Sequence, residues 1–140
     1  MKNLDSIKGI LVHQVNCKKK IETDLSKLIF DKWPIAYDIY MIANLKPGMI
    51  QLVEANQNLI ICNLAGQNES GTDKIYTDYN AVRHGFRILG KFAENRRLDI
   101  HVPVGIGCDK KSRGDWETYK NIVVDECPFV IFVDIEQFSS

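Results

Sequence analysis

The sequence predicts an α/β protein with a mixed central sheet covered by helices on both faces. Three observations predict it. Apolar, strand-like runs alternate with stretches of helical periodicity in the order β-α-α-β-β-α-β-α-β, the pattern of a sheet with helices packed on either side. Two of the runs are joined by Asn56-Gln57-Asn58, a hairpin signal that makes the sheet mixed rather than purely parallel. The length, 140 residues, suits one domain spanning 1–140 with enough chain to bury a full core.

The elements follow in order. Ile10 to Val15 reads as a buried strand that ends at Asn16-Cys17, before three lysines, Lys18 to Lys20. Leu25, Leu28, Ile29 and Trp33 fall on one helical face; Thr23 or Asp24 starts that helix and Pro34 stops it. Pro34 also opens a second helix at its first position, with Ile35, Ile39 and Ile42 as its stripe. Lys46-Pro47-Gly48 is a turn. Strands follow at Met49 to Ala55 and Leu59 to Leu64, the second apolar almost throughout and so central. A long polar loop, Gly66 to Thr77, leads into the best helix, Asp78 to about Asn95, which Thr77 can cap. A strand at His101 to Val104, a helix from Asp115 to about Glu126 and a strand at Phe129 to Ile135 complete the chain.

Composition limits the function classes. Eighteen basic residues balance eighteen acidic ones, which argues against a general nucleic-acid binder. The four cysteines form no C-x-x-C pair, so no zinc site or redox dithiol is expected, and no cofactor or metal is implied. The N-terminal MKNLDSIKG has no long apolar region, so no signal peptide is expected; no apolar run reaches membrane length, and a reducing cytoplasm is the expected compartment.

In sheets of this kind ligands bind beyond the carboxyl ends of the strands. Loops after Val15, Leu64 and Val104 could meet on that rim. The last is the most informative: Gly105-Ile106-Gly107 turns the chain sharply between a strand and a helix that Asp115 can cap. Backbone N–H groups in such a loop suit phosphate. It is neither a Rossmann fingerprint nor a P-loop, since it lacks a third glycine and a G-K-[ST] sequence.

Blocks of residues in order resemble the macro domain family. His13-Gln14-Val15-Asn16-Cys17 resembles its H-x-x-N-C, and Asp31-Lys32-Trp33-Pro34 its D-K-[YW]-P. Asn63 to Gln67 resembles N-L-x-G-Q, and Tyr76-Thr77-Asp78-Tyr79 its Y-T-D-Y. Pro103 to Cys108, followed by Gly114-Asp115-Trp116, resembles P-x-G-I-G-C…G-D-W. The similarity is to the branch that includes ADP-ribose-1″-phosphate phosphatases and small phage or bacterial macro proteins. It implies a three-layer α/β/α fold and an ADP-ribose-like ligand.

Two departures bear on that ligand. The family's glycine-rich segment after N-C is here Lys18 to Ser26, without a glycine. At an effective dielectric near 20, a carboxylate such as Glu22 or Asp24 about 4 Å from a phosphate charge costs about 4 kcal/mol before compensation. The second glycine-rich loop is basic and longer by one, with Lys110, Lys111 and Arg113. The resemblance also implies that the family's first strand is missing or shortened.

The resemblance makes His13 and Asp115 the candidate catalytic pair: a general base at the rim, and a group that holds water or a ribose hydroxyl. A strand-end histidine bonded to backbone and a plain helix cap are the structural alternatives. Ligand-binding candidates are Asn16, Gln67, Gly105, Ile106, Gly107, Cys108, Lys110 and Arg113, with Tyr76 and Tyr79 as flanking rings. Against these stand an amide that closes a buried strand, solvated loop residues and a tight surface turn. A Cys17–His13 nucleophile is a further candidate. Three functions follow: hydrolysis of an ADP-ribose derivative; a non-catalytic sponge or sensor for a modified nucleotide; or a macro fold kept for protein–protein contact. The third predicts that the loop after Asn16 packs shut over the cleft.

Overall fold

The structure, a computed structural model, describes residues 2–135. A 3-10 turn (Leu4–Ser6) precedes β1 (Gly9–Asn16), α1 (Asp24–Lys32), α2 (Pro34–Ile42), β2 (Ile50–Asn56) and β3 (Leu59–Gln67). Then come α3 (Tyr79–Arg96), β4 (Ile100–Pro103), α4 (Trp116–Glu126) and β5 (Ile131–Val133). The element order is the one read from the sequence. No described helix is long and apolar enough to cross a membrane.

The sheet runs β2-β3-β1-β4-β5. β1 pairs in parallel with β3 and β4, β4 in parallel with β5, and β2 is the one antiparallel neighbour, through the hairpin at 57–58. β1 is central and buried along almost its whole length. Successive side chains alternate between the faces. Leu11 and Val15 therefore join Ile29, Phe30 and Tyr40 under α1 and α2. Ile10 and Val12 join Phe86, Leu89 and Tyr119 under α3 and α4. The result is three layers, two helices on each face.

The helix ends follow local chemistry. Thr23 caps α1 by accepting from the Ser26 N–H at 3.1 Å. Trp33 closes α1 on the Ile29 carbonyl, and Pro34 starts α2, where its missing N–H costs nothing. For α3 the cap is Asp78, not Thr77: its carboxylate accepts from the Ala81 N–H at 3.1 Å. Thr77 is turned inward, and its hydroxyl donates to the Gly107 carbonyl at 2.6 Å. β3 runs three residues past Leu64, because Ala65 and Gln67 still pair with β1. β5 is shorter than the apolar run, although Ile135 forms an isolated parallel bridge with Lys2.

Because β1, β3 and β4 are parallel, their carboxyl ends share one edge of the sheet. The loops 17–23, 68–78 and 104–115 leave from that edge. The loop candidates Asn16, Gln67, Gly105 and Gly107 lie along this rim.

Candidate functional site: a closed strand-end crevice

The first wall of the crevice is the segment 17–23. Asn16 fixes its shape. The Asn16 Oδ1 accepts from the N–H groups of Lys18 and Lys20, both at 3.1 Å, and its Nδ2 donates to the Lys20 carbonyl at 2.7 Å. An asparagine that bonds its own following backbone is an ordinary turn device. Here it folds the lysine run back over the strand end. Lys19 takes φ +60°, a left-handed conformation that glycine adopts more readily. The Ser70 hydroxyl donates to the Glu22 carboxylate, tying this segment to the loop after β3. The Cys17 N–H adds bonds to the Gln67 and Asn68 carbonyls.

The second wall is the loop after β4. Gly105 and Gly107 have φ of +83° and +74°. Neither of their N–H groups donates to an acceptor among the described residues, whereas Ile106 and Cys108 bond back to Pro103 and Gly105. A Cβ at Gly105 would meet nothing within 4 Å, while one at Gly107 would lie 2.3 Å from the Tyr119 ring. Beyond them Asp109 folds the loop on itself: its carboxylate accepts from Lys111 N–H, Ser112 N–H and Ser112 Oγ at 2.9–3.1 Å. The Gly71 N–H bonds the Lys111 carbonyl, and those of Tyr76 and Thr77 bond the Ser112 carbonyl. Loops two and three thus form one piece.

The floor is a buried polar network. The Gln14 Nε2 donates to Gln67 Oε1 and Thr77 Oγ1, and the Tyr119 hydroxyl donates to Gln14 Oε1. Gln67 Oε1 also lies 2.6 Å from Ser112 Oγ. On the other face of β1, His13 is fully buried. Its Nδ1 lies 2.8 Å from Ser26 Oγ and its Nε2 2.5 Å from Asn63 Oδ1, with the edge of the Phe30 ring nearby. Asn63 Oδ1 can only accept, so Nε2 carries the proton and Nδ1 accepts from the serine. Burial holds the imidazole neutral and lowers its pKa to about 4; the Asn63 bond offsets this only in part. No buried side-chain nitrogen or oxygen among the described residues lacks a partner.

Little space is left at the rim. Two cavities found there among the described residues are each of about 10 Å³. One is bounded by Asn16, Lys20, Glu22, Gln67 and Lys111, the other by Thr23, Ser26, Gly105, Gly107 and Asp109. Each is about the volume that one water needs.

The candidates therefore fare differently. His13 sits beneath the rim, not at it, because it is an inward-facing strand residue with both ring nitrogens engaged. Asp115 is exposed and caps α4 through the Thr118 N–H and hydroxyl, bonds that hold its carboxyl below the usual range. Asn16 and Gln67 reach the rim but are spent on internal bonds. Ile106 is buried in the α3–α4 core. The Cys108 Sγ lies 3.3 Å from the Ile106 carbonyl, and burial raises the thiol pKa to about 12. Lys110 is exposed, whereas the Arg113 guanidinium donates to the Thr72 carbonyl at 3.0 Å. The Tyr76 hydroxyl donates to Asp73, and that of Tyr79 accepts from the Asp115 N–H. Cys17 lies past the strand, its pKa raised by burial. Among the described residues, the N–H groups of Gly105 and Gly107 keep no acceptor, and Lys110 forms no ion pair. Among the described residues no cluster of three or more His, Cys, Asp or Glu side chains is placed to hold a metal.

Sequence reasoning missed the partners that occupy these groups: Ser26, Asn63, Thr77, Ser112 and Tyr119. One signal was available. Asn63 is the lone polar residue in the apolar run Leu59 to Leu64, and a buried amide needs a partner. That partner, His13, is its register mate on β1.

Solved structures share this architecture. A protein of unknown function from Bacteroides thetaiotaomicron matches with a TM-score of 0.79 at 22% identity, over 90% of this chain and 86% of that one. A macrodomain protein from Streptomyces coelicolor matches with a TM-score of 0.74 at 17% identity, over 94% and 91%. Thermosipho africanus DarTG, solved in complex with ADP-ribose, matches with a TM-score of 0.72 at 12% identity, over 95% of this chain and 39% of that one. No family model matches the sequence, and no curated protein matches it. At these identities the likeness defines a class by fold: this chain has the macro domain fold.

Proposed function

We propose that this protein is a macro-fold interaction module whose ligand crevice is filled by its own chain, and not an ADP-ribose hydrolase. The observation that carries the reading is the space at the strand ends. Small-molecule sites hold about 300–1,000 Å³, against two cavities of about 10 Å³. Segment 17–23 stands where the resemblance puts the glycines that admit a diphosphate. The chemistry agrees. A general base must reach the proton that it takes, and His13 is enclosed, neutral and bonded at both nitrogens.

One observation favours a second reading, in which an ADP-ribose-like nucleotide binds once segment 17–23 is displaced. The N–H groups of Gly105 and Gly107 have no acceptor among the described residues, and a phosphate would supply one. DarTG, which shares this fold over 39% of its chain, was solved in complex with ADP-ribose, and that supports the reading.

Calorimetry separates the two. Native protein and a variant with residues 18–22 replaced by glycine and serine are titrated with ADP-ribose and ADP-ribose-1″-phosphate. The interaction reading expects no binding by either protein and no turnover. Binding by the loop variant alone supports the second reading. Micromolar binding or hydrolysis by the native protein contradicts the first.

A further inference from the structure

His13 is a titratable group sealed between two layers. β3 supplies Asn63, whose Oδ1 lies 2.5 Å from Nε2, and α1 supplies Ser26 and Phe30. Behind Asn63 stand the Gln51 Oε1 and the Ala36 carbonyl, both uncharged. The other titratable groups of this layer are Tyr37 and Tyr40, which pack on Phe30, and Cys17; burial raises the pKa of both Tyr40 and Cys17. The charged residues of the elements packed here, Asp24, Lys27, Asp31 and Lys32 on α1, Asp38 on α2 and Glu54 on β2, are exposed. Among the described residues no carboxylate faces the ring to balance a positive charge.

A second proton on the ring breaks the present arrangement. With Nε2 protonated, Nδ1 accepts from the Ser26 hydroxyl at 2.8 Å. Once Nδ1 also carries a proton, the two groups aim hydrogens at each other. The serine hydroxyl must then turn to the Gln14 carbonyl, 3.4 Å away, for a longer and weaker bond. Burial opposes the charge itself, which is why the ring's pKa is lowered to about 4. Water reaches the ring only when one of its covers moves. β3 is paired on both sides, whereas α1 is nine residues long and open to solvent on its outer face. Lifting α1 exposes less buried surface than unfolding the sheet, so it is the lower-energy opening. Ser26 is also the joint with the crevice. Its N–H bonds the Oγ1 of Thr23, where segment 17–23 ends, and Ile21 of that segment packs on the same core as Phe30.

We propose that His13 is an acid-operated release for the closed crevice: a proton taken up at Nδ1 breaks the bond to Ser26, and α1 opens together with segment 17–23. Histidines that gain charge in a packed site act as switches in this way. The device rests on the reading that segment 17–23 fills the crevice, and it adds what uncovers it.

Residue-resolved amide hydrogen exchange on the full chain, corrected for intrinsic rates, tests it at about pH 7 and about pH 5, with and without mild urea. At both values the amides of 17–23 and of α1 should be less protected than those of α3, through an opening that mild urea leaves unchanged. Between the two values they should lose about twentyfold in protection, the factor implied by a pKa of about 4 closed and 6.5 open. His13→Gln, which can donate to Asn63 and accept from Ser26 without charging, should abolish that loss. In the native protein the imidazole carbon signals should remain those of a neutral ring at about pH 5. A ring charged at that pH while α1 stays protected overturns the proposal. So does an α1 that exchanges only together with α3, a segment 17–23 that stays protected while α1 opens, or a pH-dependent loss that His13→Gln retains. Micromolar nucleotide binding by the closed native protein would sink the filled-crevice reading alone, whereas an α1 indifferent to His13 would sink the release alone.

Discussion

The two walls of the crevice stand where the resemblance puts two glycine-rich loops, and they have different physical states. The wall after β4 keeps its glycines, its left-handed turns and two N–H groups without an acceptor among the described residues. The wall after β1 has lysines and acids where the resemblance expects glycines, and it has used its polar groups on itself. Asn16 grips the backbone at Lys18 and Lys20, Thr23 caps α1, and Glu22 takes the Ser70 hydroxyl. One side of the crevice thus keeps an open, glycine-built turn while the other side fills the space beside it with its own chain.

The comparison can be broken from either side, and the largest effect is expected on the glycine wall. Gly107→Ala combines φ +74° with a Cβ driven into the Tyr119 ring, and should cost about 3 kcal/mol or more in urea denaturation. Gly105→Ala has the same sign of φ but open space, and should cost only about 1 kcal/mol. Equal costs at the two positions would mean that Tyr119 does not pack against the loop as described.

Next comes the floor beneath the filled wall. His13 is neutral when folded, with a pKa of about 4 against 6.5 for an ordinary histidine. Between those values the unfolded chain binds more protons than the folded one. The stability from this group is therefore full above about pH 6.5 and falls as pH drops toward 4, by roughly 3 kcal/mol in total. Subtracting the pH profile of His13→Gln from that of the native protein isolates the effect. A difference that does not change with pH would place the imidazole in water.

The smaller effects concern the filled wall itself. Asn16→Ala removes three bonds to segment 17–20 and should cost about 2 kcal/mol, with faster amide exchange confined mainly to 17–23. Lys19→Gly relieves the left-handed φ and should stabilise the protein by up to about 1 kcal/mol. A loss instead would mean that the lysine side chain holds the segment in place.

Much of the fold was legible because its signals are local. Periodicity, Pro34 between two helices, the Asn56–Asn58 turn and the Asp115 cap each act within a few residues, and each element they mark is present. The site was less legible because its groups are committed over long distances. Nothing near Gln14 announces Thr77 or Tyr119, and nothing near His13 announces Ser26, except that a histidine on a central strand faces the core. Asn16 shows the limit most clearly. The H-x-x-N-C resemblance identifies the residue, but only the folded turn shows its amide closed on the lysines that follow.

The central claim is that segment 17–23 fills the crevice, and titration of the native protein with ADP-ribose tests it most directly. The account predicts no saturable binding, with any Kd weaker than about 1 mM. A micromolar Kd, with the nucleotide seated between Asn16 and Gly107 in a crystal, would contradict it.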